Sequence, residues 1–138
     1  MRLRALVFFI LTLAFVSAAC ITESRPVILI SLDPDPPDTV FGGELIVSGL
    51  VVRAPPDPNA LFTVTAVRTA GALADTTEVL AESVGNFSIR VPIAQDTLGI
   101  VNTITISATD EQEASISDEA RFSVIGLLEA PAFRRENE

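Results

Sequence analysis

Between Gly85 and Asp110 apolar and polar side chains alternate in steps of two. Phe87, Ile89 and Val91 fall on one side of an extended chain, Ser88 and Arg90 on the other. After a short polar break, Ile104, Ile106 and Ala108 repeat the pattern against Thr103, Thr105, Ser107 and Thr109. Consecutive side chains of a strand point to opposite faces. This alternation, rich in β-branched residues and bounded by turn formers, therefore predicts two half-buried antiparallel strands. The same period recurs upstream. Val27–Leu32 is apolar and β-branched and stops at Asp33–Asp38, where Pro34, Pro36 and Pro37 have no N–H for a ladder. A loop after a first edge strand is expected there.

Gly42-Gly43 opens a strand in which Leu45, Val47, Gly49 and Val51 share one face, with Gly49 leaving room for the opposite sheet to approach. Beyond the proline-bound break Ala54–Asn59, Phe62, Val64 and Ala66 are expected inside and Thr63 and Thr65 outside. Residues 69–76 read as a loose connection to a short strand at Thr77–Ala81. A charged turn, Asp110–Glu119, leads to a last strand with Ala120, Phe122 and Val124 inward and Arg121 and Ser123 outward. Seven short strands between Val27 and Ile125, with turn signals about every 8 to 15 residues and no helical period, predict an all-β fold: an immunoglobulin-like antiparallel β-sandwich of about seven strands.

The N-terminus has a different pattern. Arg2 and Arg4 precede ALVFFILTLAFV, an apolar run broken only by Thr12, and Ser17-Ala18-Ala19-Cys20 follows. A positive start, a short apolar stretch and small residues describe a secretory signal peptide, with cleavage after Ala19. The chain then divides into a signal peptide (1–19), a tether (20–26), the sandwich (27–126) and a C-terminal tail (127–138). The apolar run over residues 5–21 is 17 residues long, at the lower end of what spans a bilayer, so an uncleaved anchor stays open.

Cys20 is the sole cysteine. Its place directly after Ala18-Ala19 resembles the lipobox of bacterial lipoproteins, although Ser17 stands where that family usually has Leu, Val or Ile. The resemblance implies diacylation of the Cys20 sulfur, with Cys20 the first residue after cleavage. Ordinary cleavage after Ala18 or Ala19, giving a soluble secreted chain with a free thiol, is the alternative. Two or three acyl chains, each contributing about 0.8 kcal/mol per buried methylene, would hold the protein on a membrane without a spanning helix. Ile21 rather than Asp after the cysteine points to the outer membrane if the cell has two.

Composition narrows the function. His, Trp, Tyr and Lys are absent. Without His the chain lacks the commonest general base and metal ligand at neutral pH, and neither catalysis nor a cofactor is expected. Removal of residues 1–19 takes Arg2 and Arg4, leaving 7 basic against 18 acidic groups, a net −11. Such a chain is repelled by phosphate backbones and anionic leaflets, which argues against a nucleic-acid partner. The acidity otherwise needs no explanation beyond solubility.

Four segments carry a resemblance: P-V-I-L-I-S from Pro26, L-I-V-S-G-L-V from Leu45, G-N-F-S-I-R-V-P-I from Gly85 and N-T-I-T-I-S-A-T-D from Asn102. Together they resemble bacterial Ig-like domains over about 100 residues, Pro26 to Ile125. Such modules occur in tandem on surface proteins, adhesins and polysaccharide-degrading enzymes, so the resemblance implies a non-catalytic structural or binding role and brings no functional residues with it. Two departures stand out. Asp110 leads into E-Q-E-A-S-I-S-D instead of a Gly-Asn turn, and Arg68–Ser83 is longer than the family's. The G-x-F-S-I-x-V-P strand is also similar to transthyretin-like or carboxypeptidase-regulatory-type sandwiches, which would imply an accessory role in export or carbohydrate uptake. Those run on towards a final Gly-Tyr, whereas this chain continues through A-T-D into another strand.

Two carboxylate groupings follow from the expected strand order. Asp57 should meet Asp110, Glu111 and Glu113 at one end of the sandwich; Asp33, Asp35 and Asp38 should meet Asp96, with Asp75 near, at the other. Calcium takes six to eight oxygens, so either grouping admits it chemically. Neither has the spacing D-x-[DN]-x-[DN]-G, solvated acidic turns suffice, and no metal is assigned. Opposed carboxylates of a glycosidase would need a cleft with aromatic platforms, and sugar faces stack on Trp or Tyr, so carbohydrate is disfavoured too. Outward Ile46, Leu50 and Val52, with Leu61 and Val67 expected on the next strand, either lie under residues 68–83 or the tail, or form a contact for an envelope protein. Leu127, Leu128 and Phe133 in the tail are placed either to cover them or to dock on a partner.

Overall fold

The computed structural model describes residues 24–82 and 85–128. The expected signal peptide with its cleavage site at Ala19, the expected lipid attachment at Cys20, and Phe133 of the expected tail lie outside the described residues. Eight strands follow one another: β1 (Val27–Leu32), β2 (Thr39–Phe41), β3 (Glu44–Ala54), β4 (Phe62–Ala70), β5 (Leu73–Leu80), β6 (Asn86–Pro92), β7 (Ile100–Asp110) and β8 (Ser117–Leu127). They form two sheets, ordered β1-β3-β6 and β2-β8-β7-β4-β5. Every pairing is antiparallel except that of β2, which runs parallel to β8.

Alternation builds the core. Phe87, Ile89 and Val91 of β6 face Ile104, Ile106 and Ala108 of β7 across a dry interior, joined by Leu45, Val47 and Val51 of β3 and Phe62, Val64 and Ala66 of β4. The chain changes sheet at β1–β2, β2–β3, β3–β4, β5–β6 and β6–β7, and stays within one sheet only at the β4–β5 and β7–β8 connections. β1-β3-β6 stands for three of the four strands of one immunoglobulin sheet and β8-β7-β4 for the three of the other, which β5 extends as in the variable type and β2 flanks on the far side; among the described residues no strand takes the fourth place beside β6.

Some expectations need correcting. β2 escapes a periodicity reading because three residues after a proline loop show no period; it is an eighth strand, held by its register with Ile125–Leu127. Residues 69–76 are no loose connection: β4 runs to Ala70 and β5 starts at Leu73, and the two pair all along their length. The intervening Gly71-Ala72 is a two-residue hairpin turn, and Gly71 takes the φ of +60° that such turns need. The stretch hides its strands because Arg68 occupies an inward position, opposite Ile104, and is buried. Its Nη2 pairs with Asp75, its neighbour on β5.

Gly49 does provide a close approach, but within its own sheet. It pairs with Phe87 of β6, whose ring lies over it; a Cβ there would fall on the Ser31 carbonyl of β1 and 2.8 Å from Phe87 Cζ. Leu127 belongs to β8 and not to a tail. Finally, β3 has β1 and β6 as neighbours, so Ile46 and Val52 are on one sheet while Leu61 and Val67 lie on the other. Residues 68–80 form the far edge of that second sheet and do not cover Ile46 and Val52, which are exposed.

The β1 edge is closed by a side chain. Asp118 of β8 accepts the Ile30 N–H at 2.8 Å, tying the two sheets together where β1 has no strand beside it. An unpaired edge is a template for aggregation, and an acceptor aimed at its N–H removes part of that hazard.

Candidate functional site

The end of the sandwich where β3 and β7 finish and β4 and β8 begin carries a polar cluster centred on Arg53. Arg53 is the penultimate residue of β3, and three carboxylates surround its guanidinium. Nη1 donates to Asp57 Oδ2 at 2.9 Å, Nε lies 3.4 Å from Asp110 Oδ2, and Nη2 lies 3.8 Å from Glu113. The acids come from different places. Asp57 stands in the proline-rich β3–β4 connection, where its other oxygen accepts the Asn59 N–H. Asp110 ends β7 in the inward phase and is wholly buried (0% exposed). Glu113 lies in the β7–β8 turn.

Asp110 does two jobs. Its Oδ1 accepts the N–H groups of Gln112 and Glu113 at 2.8 and 3.3 Å, which fixes the turn, while Oδ2 faces Arg53. Gln112 then donates from Nε2 to the Asn59 carbonyl, so the two loops are tied to each other as well as to the guanidinium. A buried carboxylate is costly unless a cation and hydrogen bonds compensate it, and here both are supplied. A shallow pocket beside the cluster is lined by Leu50, Val52, Arg53, Pro56, Asp57 and Phe62.

The first carboxylate grouping expected from the sequence is therefore assembled in part. Asp57, Asp110 and Glu113 do converge, but around an arginine that occupies the place a calcium ion would take. Glu111 points away and accepts a hydrogen bond from Thr63 Oγ1 at 2.7 Å. The second grouping is dispersed. Asp96 accepts from the backbone and hydroxyl of Thr97, Asp75 is held by Arg68, and Asp38 contributes its backbone carbonyl to the Ile125 N–H. Among the described residues no three acidic or thiol side chains stand together as a metal ion requires.

Sequence reading passed over Asn102. It is wholly buried, accepting the Ala94 N–H at 2.9 Å and donating to the carbonyls of Ala94 and Ile100 at 2.9 and 3.0 Å. It thereby pins the β6–β7 connection to the start of β7. The signal was present: two steps back from Ile104 in the inward phase is Asn102, and two steps on from Ala108 is Asp110. Polar residues in an inward phase are the ones that need partners.

No family model matches the chain, and no curated protein matches it. A solved structure titled for murine CRIg is similar over 78% of this chain and 100% of its own, with 10% identity and a TM-score of 0.35. At that level the likeness carries no weight beside the strand order, which by itself makes the described residues an immunoglobulin-like, all-β sandwich.

Proposed function

We propose that this chain is a non-catalytic immunoglobulin-like module, exported and held at a bacterial cell envelope by lipid on Cys20, with a structural or protein-binding role there. The observation that carries the reading is the sequence Ser17-Ala18-Ala19-Cys20 at the end of an apolar run, with only residues 21–26 between it and the first strand at Val27. That spacing suits a short tether between an anchor and a folded domain. The carboxylates that converge in the fold are engaged in holding Arg53 and a turn, which supports a structural role for them over acid–base work. The partner is an envelope protein; the net −11 of the chain from Cys20 onward disfavours nucleic acid, and the lack of Trp and Tyr disfavours carbohydrate. Ile21 favours the outer membrane in a two-membrane cell.

Intact-mass analysis of the protein from its own membrane fraction tests the anchor. A mature chain that begins at Cys20 and carries acyl groups is the expected result. An unmodified thiol, or a chain retaining residues 1–19, refutes it. Capture from detergent-solubilised envelope then identifies the protein partner.

A further inference from the structure

The outer faces of the two sheets are chemically different. On the β2-β8-β7-β4-β5 side, Thr63, Thr65 and Thr69 stand opposite Thr109, Ser107 and Thr103, flanked by the charged Glu78, Glu119 and Arg121, with exposed Leu80, Val101 and Ile125 at the margins. On the β1-β3-β6 side, Val27, Leu29, Ile46 and Val52 are exposed by 51%, 62%, 56% and 47%. Leu29 and Val52 are directly paired, and Val27 is the next outward residue along β1. The charged side chains of this outer face are Glu44 and Arg90, which neutralise each other at 3.1 Å at the end remote from Val27.

We propose that the outer face of β1-β3-β6 rests on the surface of the bilayer, with Val27, Leu29 and Val52 at the lipid interface. This rests on the reading that Cys20 is acylated. Seven residue steps separate Cys20 from Val27, and at full extension they span about 24 Å. An eleven-residue strand such as β3 is about 36 Å long, so the tether is shorter than the domain and keeps it against the leaflet. Two orientations compete. Standing on the end nearest the tether would press Asp57, Glu82, Glu111 and Glu113 towards the headgroups, which a strongly acidic chain resists. Lying on β1-β3-β6 turns those acids to the side and sets an uncharged apolar surface where the tether enters. Acyl chains and an apolar face then act together as two membrane signals.

Acylation consumes the sole native thiol, so an introduced cysteine can be labelled alone. The full acylated chain, carrying Leu29→Cys, Val52→Cys or Thr105→Cys with an environment-sensitive fluorophore, is reconstituted into phosphatidylcholine vesicles containing spin-labelled lipid. All three sites point outward, and circular dichroism checks that each variant is folded. Blue-shifted emission and several-fold stronger quenching at positions 29 and 52 than at 105 is the expected result. Equal quenching at all three, or none at 29 and 52 in a protein whose mass shows the acyl groups, overturns the proposal and leaves the anchor standing. A mass without acyl groups removes the anchor and the proposal with it. Shielding at 29 and 52 without lipid quenching, accompanied by a doubled sedimenting mass, assigns the face to a second copy and equally overturns it.

Discussion

Replacing Arg53 with Met tests whether the cluster at the end of the sandwich holds the fold together. Met fills the apolar part of the arginine stem and removes the guanidinium. Asp110 would then keep its two turn hydrogen bonds through Oδ1, while Oδ2, wholly buried, would lose its cation, and Asp57 would lose its 2.9 Å partner. Breaking a buried pair from one side costs about 3–5 kcal/mol, because a charge is left buried without compensation. That is a large part of the total stability of a domain of this size. Asp110→Asn is gentler: Oδ1 remains for the Gln112 and Glu113 N–H groups, Arg53 keeps Asp57 and Glu113, and about 2 kcal/mol is expected from losing one charged contact. In the double variant no buried charge is stranded, so it should be more stable than Arg53→Met alone. The two changes must then couple by more than the cost of Asp110→Asn itself, about 2 kcal/mol. The chain has no Trp or Tyr, so urea unfolding is followed by far-ultraviolet circular dichroism, with equal denaturant slopes required before the values are compared. A loss below about 1 kcal/mol for Arg53→Met, or a double variant that costs the sum of the two singles, refutes the reasoning.

The other predictions concern the core and the loops. Gly49→Ala should cost about 1–3 kcal/mol, since its Cβ overlaps the Ser31 carbonyl and the Phe87 ring; an unchanged urea midpoint would show that β1 and β6 can yield. Phe87→Ala and Ile104→Ala should each cost about 2–5 kcal/mol in the same assay, and a loss under about 1 kcal/mol would mean that the side chain is not in the core. Asn102→Ala strands the Ala94 N–H and two carbonyls, so about 2–4 kcal/mol and faster amide exchange at Ala94 are expected; unchanged exchange there would deny Asn102 its hold on the connection. Added calcium should leave the Tm where it is, because the Arg53 guanidinium already stands between the converging acids; a rise abolished by Asp110→Asn would show that the ion can displace it.

The alternation of side chains was legible directly from the sequence because it is local: a period of two puts Phe87, Ile89 and Val91, or Ile104, Ile106 and Ala108, on one face whatever lies beyond. For β1, β3, β4, β6, β7 and β8 strand existence and inward phase follow from it, as do the sandwich class and the gathering of Asp57, Asp110 and Glu113 at one end, since strands of known order bring known loops together. Neighbours in space are another matter. Which strand flanks β3, whether Gly49 opens towards its own sheet or the facing one, and why β2 is a strand at all depend on pairing between residues tens of positions apart, which no local period encodes. The tertiary structure also decided how buried polar groups are satisfied. It put Arg53 among the acids where a metal ion was conceivable, turned Asp118 onto the Ile30 N–H, and gave Asn102 the loop it holds. A buried charge or amide must find its partner wherever the fold places one, and that partner is set by three-dimensional proximity, not by spacing along the chain.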